Sequence, residues 1–139
     1  MKVFILLVVL GVAFAEKINY YRTADNHYDM QSVVDNPKKL QDFVDCFLDR
    51  KPCDPVPASY RKIIPETIET ACYRCNADVK HLANVFMLGL KKNNPTEYVN
   101  FVNRYDPEGK YIEKFMESVK GLKNCYNKKL MMHCVYLNL

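Results

Sequence analysis

Four cysteines, Cys46, Cys53, Cys72 and Cys75, follow the spacing Cys-x6-Cys-x18-Cys-x2-Cys. The economical pairing closes two small rings, of eight residues (Cys46 to Cys53) and four residues (Cys72 to Cys75). Each such ring removes about 2 to 2.5 kcal/mol of unfolded-state entropy in the loop-closure treatment. Bridges this local clamp helix ends and corners but leave distant parts of the chain unconnected. The chain therefore needs an apolar interior of its own.

The compartment implied by the first fifteen residues is an oxidising one. Lys2 supplies a positive start, Val3 to Phe14 is an almost unbroken apolar run, and Ala13-Phe14-Ala15 has the small-x-small pattern of a cleavage site. Residues 1–15 read as a secretory signal, with Glu16 as the expected mature N-terminus. About a dozen apolar residues are too few to span a ~30 Å hydrocarbon core, and no later run is longer. Secretion makes bridges the default state of paired cysteines.

After cleavage, about 124 residues remain, enough for one ordinary domain with a core. Of 20 lysines and arginines, Lys2 falls in the leader, leaving 19 against 16 acidic residues, a net of +3. So small and dispersed an excess argues against nucleic-acid binding. Four glycines, ten tyrosines and seven phenylalanines describe a chain poor in turns and rich in bulky filling, which points to helices.

The helix signals bear this out along the chain. Asn36-Pro37 is an N-cap followed by proline at the first helical position, with Leu40, Phe43, Val44 and Phe47 on one face. Pro52, Pro55 and Pro57 predict a corner over 49–57. A second helix is predicted from Pro57-Ala58, with Tyr60, Ile63, Ile64, Ile68 and Cys72 on one side, and Pro65 predicts a new turn or a kink. Asn76-Ala77-Asp78 opens a third, with a stripe of Val79, Leu82, Ala83, Phe86, Met87 and Leu90, ending near Asn93-Asn94 before Pro95. Pro95 starts a fourth, with Tyr98, Phe101 and Val102 inward. Tyr105-Asp106-Pro107-Glu108-Gly109 is a turn. Ile112, Phe115, Met116, Val119 and Leu122 make a last amphipathic run, and the stretch from Glu16 to His27 has no firm period.

These residues resemble the insect chemosensory proteins, the group also called OS-D or A10-like. The cysteine spacing matches that family's hallmark without a gap. Phe43-Val44-Asp45-Cys46-Phe47-Leu48-Asp49, Ile64-Pro65-Glu66-Thr67-Ile68-Glu69-Thr70 and Tyr105-Asp106-Pro107-Glu108-Gly109 each resemble family segments. The likeness covers Asp25 to Phe115. It implies an all-α, compact bundle of about six helices around an apolar channel for fatty or volatile ligands. It also implies the local pairings Cys46 with Cys53 and Cys72 with Cys75. Carried over position by position, it places channel residues at Phe43, Tyr60, Ile64, Ile68, Phe86, Met87, Tyr98 and Phe115. A stripe at helical spacing by itself does not separate core from ligand wall.

The chain departs from the pattern in three places. Tyr98 stands where many relatives have tryptophan, a residue absent from this chain, and its hydroxyl needs a partner. The family's Tyr-Asp-Asn is only partly present, as Ala24-Asp25-Asn26 with Tyr28-Asp29 after it. Residues 16–122 form the family-like domain, and 123–139 are an atypical tail with Cys125 and Cys134. Those two cysteines are open to a third bridge, to intermolecular bonding or to a free state, since six cysteines allow fifteen pairings.

Chemical readings are weaker. Cys72-Tyr73-Arg74-Cys75 lacks the preceding strand of a redox Cys-x-x-Cys, and the wide asymmetric cysteine spacing suits bridges better than zinc. His27, His81 and His133 adjoin no motif, and Glu66 and Glu69 read as a solvated helix face. No phosphate loop, nucleophile elbow or zinc-protease motif occurs. No enzyme, cofactor or metal is expected. The expected function is a secreted, monomeric carrier of fatty acids, esters, alcohols or semiochemicals. At about 0.8 kcal/mol per methylene, ten to twelve methylenes in a mostly preformed channel give micromolar affinity after association costs. The alternative is a secreted developmental or interaction protein of the same fold that meets a protein partner through its tail.

Overall fold

The computed structural model describes residues 16–121; the expected signal over 1–15, Leu122 and the tail with Cys125 and Cys134 lie outside the described residues. Six helices follow one another: α1 (Met30–Val34), α2 (Pro37–Phe47), α3 (Pro55–Glu69), α4 (Ala77–Asn93), α5 (Pro95–Tyr105) and α6 (Ile112–Val119). No strand occurs among the described residues.

Asparagine and aspartate set most of the helix starts. Asn36 accepts from the backbone N–H groups of Lys38 and Lys39, Asn76 from Val79, Asn94 from Glu97, and Asp29 from Ser32. Asn94 ends α4 and caps α5, so the chain reverses there within one residue. These side chains satisfy first-turn donors that no helical carbonyl reaches.

Three sequence expectations need correction. The helix expected from Pro57 begins at Pro55, because both prolines fall in its first turn, where the missing N–H has no partner to lose. The new turn that was one of the two outcomes expected at Pro65 does not occur. α3 continues through it, with the ring exposed and Ile64, Thr67 and Ile68 holding the buried side. Cys72 lies beyond α3 rather than on its face. Ala71 and Cys72 take left-handed φ values of 51° and 60° in the corner that follows. α1, which the periodicity did not predict, is a single capped turn and a half. It packs on α4 where Gly89 leaves room for Val34, and Asn93 donates to the Val34 carbonyl at 2.6 Å.

Two bridges, Cys46–Cys53 and Cys72–Cys75, clamp the α2–α3 and α3–α4 corners. In the first corner Asp49, at φ 58°, accepts from Arg61 on α3 (2.7 Å) and Arg104 on α5 (3.0 Å). Arg50 reaches Glu97 of α5 at 2.8 Å. α4 packs against α1, α5 and α6, and α3 against α2, α5 and α6. The core between them includes the aromatic series Phe43, Phe47, Phe86, Phe101 and Tyr105, each ring 4.9–5.8 Å from the next.

The Tyr105–Gly109 turn anchors α6. Gly109 N–H donates to the Asp106 carbonyl at 3.0 Å, with φ 64° at the glycine. The buried Asp106 carboxylate accepts from the N–H groups of Lys110, Tyr111 and Ile112 at 2.8–2.9 Å. Tyr105 donates its hydroxyl to the Phe47 carbonyl, tying the turn to α2.

Candidate functional site

An apolar cavity of about 70 Å³ lies inside the bundle. α3 supplies Tyr60, Ile63, Ile64, Thr67 and Ile68; α4 supplies Val79, Leu82, Ala83, Phe86 and Met87. Met30 of α1, Phe47 of α2, Phe101 of α5, Phe115 of α6 and Cys72 complete the wall. The two long helices thus supply most of the wall, and the other four helices contribute one residue each.

The wall has two hydroxyls, and both protons are committed. Thr67 donates to the Ile64 carbonyl at 2.8 Å, and Tyr60 to the Asp25 carbonyl of the N-terminal segment. Burial, with Asp25 and Tyr28 nearby, pushes the Tyr60 phenol far above its ordinary value, so it stays neutral. Such a wall solvates hydrocarbon and gives an ion nothing to pair with.

Six of the eight residues carried over from the family likeness lie together on this wall: Tyr60, Ile64, Ile68, Phe86, Met87 and Phe115. Phe43 and Tyr98 are not on it. Phe43 packs between Tyr28 and Phe47, with both rings at 5.8 Å, behind the cavity. Tyr98 is half-buried on α5, with Lys91 Nζ 5.5 Å from its ring centre, and burial raises its phenol. Phe47, Ile63, Val79, Leu82, Ala83 and Phe101 fall on the helical stripes of the sequence, but the family likeness does not assign them to the channel. Met30 had no signal, because α1 is too short to show a period.

Size separates this cavity from a preformed channel. A void of ~150 Å³ accommodates a benzene ring; this one is about half that. A long alkyl chain enters only if wall side chains move.

Residues 20–113 match the insect pheromone-binding family, A10/OS-D. The chain belongs to that family. Ejaculatory bulb-specific protein 3 of Drosophila melanogaster is 24% identical over 121 residues, which are 87% of this chain and 96% of the relative. Allergen Tha p 1 of Thaumetopoea pityocampa is 25% identical over 124 residues, covering 88% and 98%. Putative odorant-binding protein A10 of Drosophila melanogaster is 27% identical over 66% of this chain and 59% of its own. Among solved structures, a chemosensory protein in complex with bromo-dodecanol superposes with a TM-score of 0.64 at 22% identity, over 70% of this chain and 97% of the other. The A10/OS-D bundle is therefore the fold of this chain. No helix among the described residues is long and apolar enough to cross a membrane.

Proposed function

We propose that this A10/OS-D protein is a secreted carrier that encloses the alkyl part of small hydrophobic ligands, such as fatty acids, esters, alcohols and semiochemicals, between α3 and α4. The carrying observation is the almost wholly apolar lining of the cavity, whose two wall hydroxyls, on Tyr60 and Thr67, already donate to backbone carbonyls. The bromo-dodecanol bound by the structural relative supports an alkyl ligand. Tyr60, Ile64, Ile68, Phe86, Met87 and Phe115 are the proposed contacts, with Phe43 and Tyr98 packing behind them. The leader over residues 1–15 supports secretion. No chemical step on the ligand is part of this reading.

Displacement of the fluorescent probe N-phenyl-1-naphthylamine by saturated alcohols of eight to sixteen carbons tests it. Affinity should rise with chain length, by up to a few-fold per methylene, to the micromolar range. Failure to find saturable binding at any length would end the carrier reading.

A further inference from the structure

The segment ahead of α1 crosses from α3 to α4 beside the apolar cavity, and its anchors lie at its two ends. At the start, Tyr21 is buried and its N–H donates to the Arg74 carbonyl at 3.0 Å, while Arg74 Nε donates back to the Asn19 carbonyl at 2.8 Å. At the far end, Met30 is buried in the first turn of α1. Between these anchors, no residue from Arg22 to Asp29 is buried and none lies in a helix. Isolated contacts hold this middle part to the bundle. The Ala24 N–H donates to Ser59 Oγ at 3.0 Å, the Tyr60 hydroxyl donates to the Asp25 carbonyl, and His27 Nδ1 lies 4.0 Å from Asp78 of α4. Within it, the His27 N–H donates to Asp25 Oδ1 at 2.8 Å and the Thr23 hydroxyl donates to Asn26, so residues 23–27 make one compact turn.

Tyr60 belongs to both structures. Its ring lines the cavity, and its hydroxyl holds the segment. The cavity of about 70 Å³ takes a long alkyl chain only if wall side chains shift, and a shift of this ring carries the hydroxyl with it. A stretch with exposed backbone, isolated hydrogen bonds and no buried side chain opens at a lower free energy than the packed helices beneath it.

We propose that residues 22–29 are a strap that a ligand loosens, with the Tyr60 hydroxyl as its latch: a chain that displaces the Tyr60 ring draws the hydroxyl from the Asp25 carbonyl, and the turn over residues 23–27 lifts between its anchors. The proposal rests on the carrier reading above and adds a positioning residue and a change of state outside the cavity. Linkage fixes the converse. If filling the cavity opens the latch, removing the latch strengthens binding.

Hydrogen exchange read by mass spectrometry, with and without 1-dodecanol, follows the strap directly. In the wild type, dodecanol should speed amide exchange over residues 22–29 roughly threefold to tenfold, the weight of one hydrogen bond, most clearly at Ala24. Tyr60→Phe keeps the ring and deletes the latch. Its strap should exchange fast without ligand and change little when dodecanol is added, and dodecanol should displace N-phenyl-1-naphthylamine at severalfold lower concentration. Ser59→Ala loosens the same segment from a position off the cavity wall, so tighter dodecanol binding there separates the strap from a mere gain of apolar wall. Thermal melts establish that each variant is folded, and the wild-type exchange result decides alone if one is not. Unchanged or slower exchange over residues 22–29 in the liganded wild type, or a folded Tyr60→Phe protein whose strap still responds to dodecanol, would overturn the latch and leave the carrier intact. If the wild type binds no dodecanol, both fall.

Discussion

Filling the cavity separates a ligand site from an ordinary packing defect. Ala83 is half-buried on α4 and lines the cavity. Ala83→Leu adds three carbons there, about 2.4 kcal/mol of burial at ~0.8 kcal/mol each. The void of about 70 Å³ gives a similar figure from the other direction: at ~24 cal/mol per Å³, leaving it empty costs about 1.7 kcal/mol. Against this stands ~1–3 kcal/mol of strain if the branched side chain does not fit its neighbours. The two nearly cancel, so the melting temperature should stay within a few degrees of wild type. Binding should not be balanced in this way. A ligand must then displace the leucine or forgo that space, a loss of about 2 kcal/mol, or roughly thirtyfold in affinity. Thermal melts and probe displacement by 1-dodecanol, run on the same preparation, measure both quantities. A folded Ala83→Leu protein that binds dodecanol as tightly as wild type would show that the alkyl chain lies elsewhere.

Three further outcomes are expected. Gly89→Ala would place a Cβ 2.5 Å from Val34 Cβ and Cγ1; urea melts should show a loss of about 1–3 kcal/mol in place of the usual helix gain, partly recovered by adding Val34→Ala, and a stabilised single variant would refute the close α1–α4 contact. Burial pushes the Asp106 carboxyl up, but the N–H groups of Tyr111, Ile112 and Lys110 together outweigh it and leave it below the usual carboxylate range. Its contribution is complete above the unfolded value near ~3.9 and is lost as pH falls through the lower folded value. The melting-temperature gap between wild type and Asp106→Asn should therefore narrow from pH 5 to pH 2, and a constant gap would refute the assignment. Tyr98→Ala should lower stability through lost burial yet leave dodecanol affinity within about twofold in the folded protein; a selective loss of affinity would return Tyr98 to the ligand wall.

The helices were legible where the code is local. Asn36-Pro37, Asn76 and Asn94-Pro95 each combine a side-chain acceptor with a restricted backbone, and each marks a helix start in the structure. α1 was illegible because five residues hold barely one period, and what fixes it is the missing side chain at Gly89, fifty-five residues beyond Val34. Cavity membership was legible only in part, for a geometrical reason. Phe43 and Phe47 share a face of α2 one turn apart, as do Tyr98 and Phe101 nearly so on α5. Only Phe47 and Phe101 reach the cavity. Period tells which side of a helix is buried, whereas distance along the helix to the open space depends on how the helices cross, which no local signal encodes.

The make-up of the wall also decides where room for a chain must come from. One side is built from Phe47, Phe86 and Phe101, whose rings are 5.2–6.4 Å apart and tilted edge to face. Moving any one of them breaks contacts with two others, and Phe101 is further backed by Tyr105, itself bonded to the Phe47 carbonyl. Much of the remaining wall is aliphatic, including Ile63, Ile64, Ala83, Leu82, Met30 and Met87. Methionine has three rotatable bonds and fills irregular space at little cost in strain. Ile63 and Ile64 are only half-buried, so turning them outward forfeits less burial than turning a core ring. The bridges hold the α2–α3 and α3–α4 corners, so the ends of α3 are fixed relative to its neighbours while its middle carries the half-buried Ile63 and Ile64. Room for an alkyl chain therefore comes most cheaply from the Ile63 and Ile64 side of the wall.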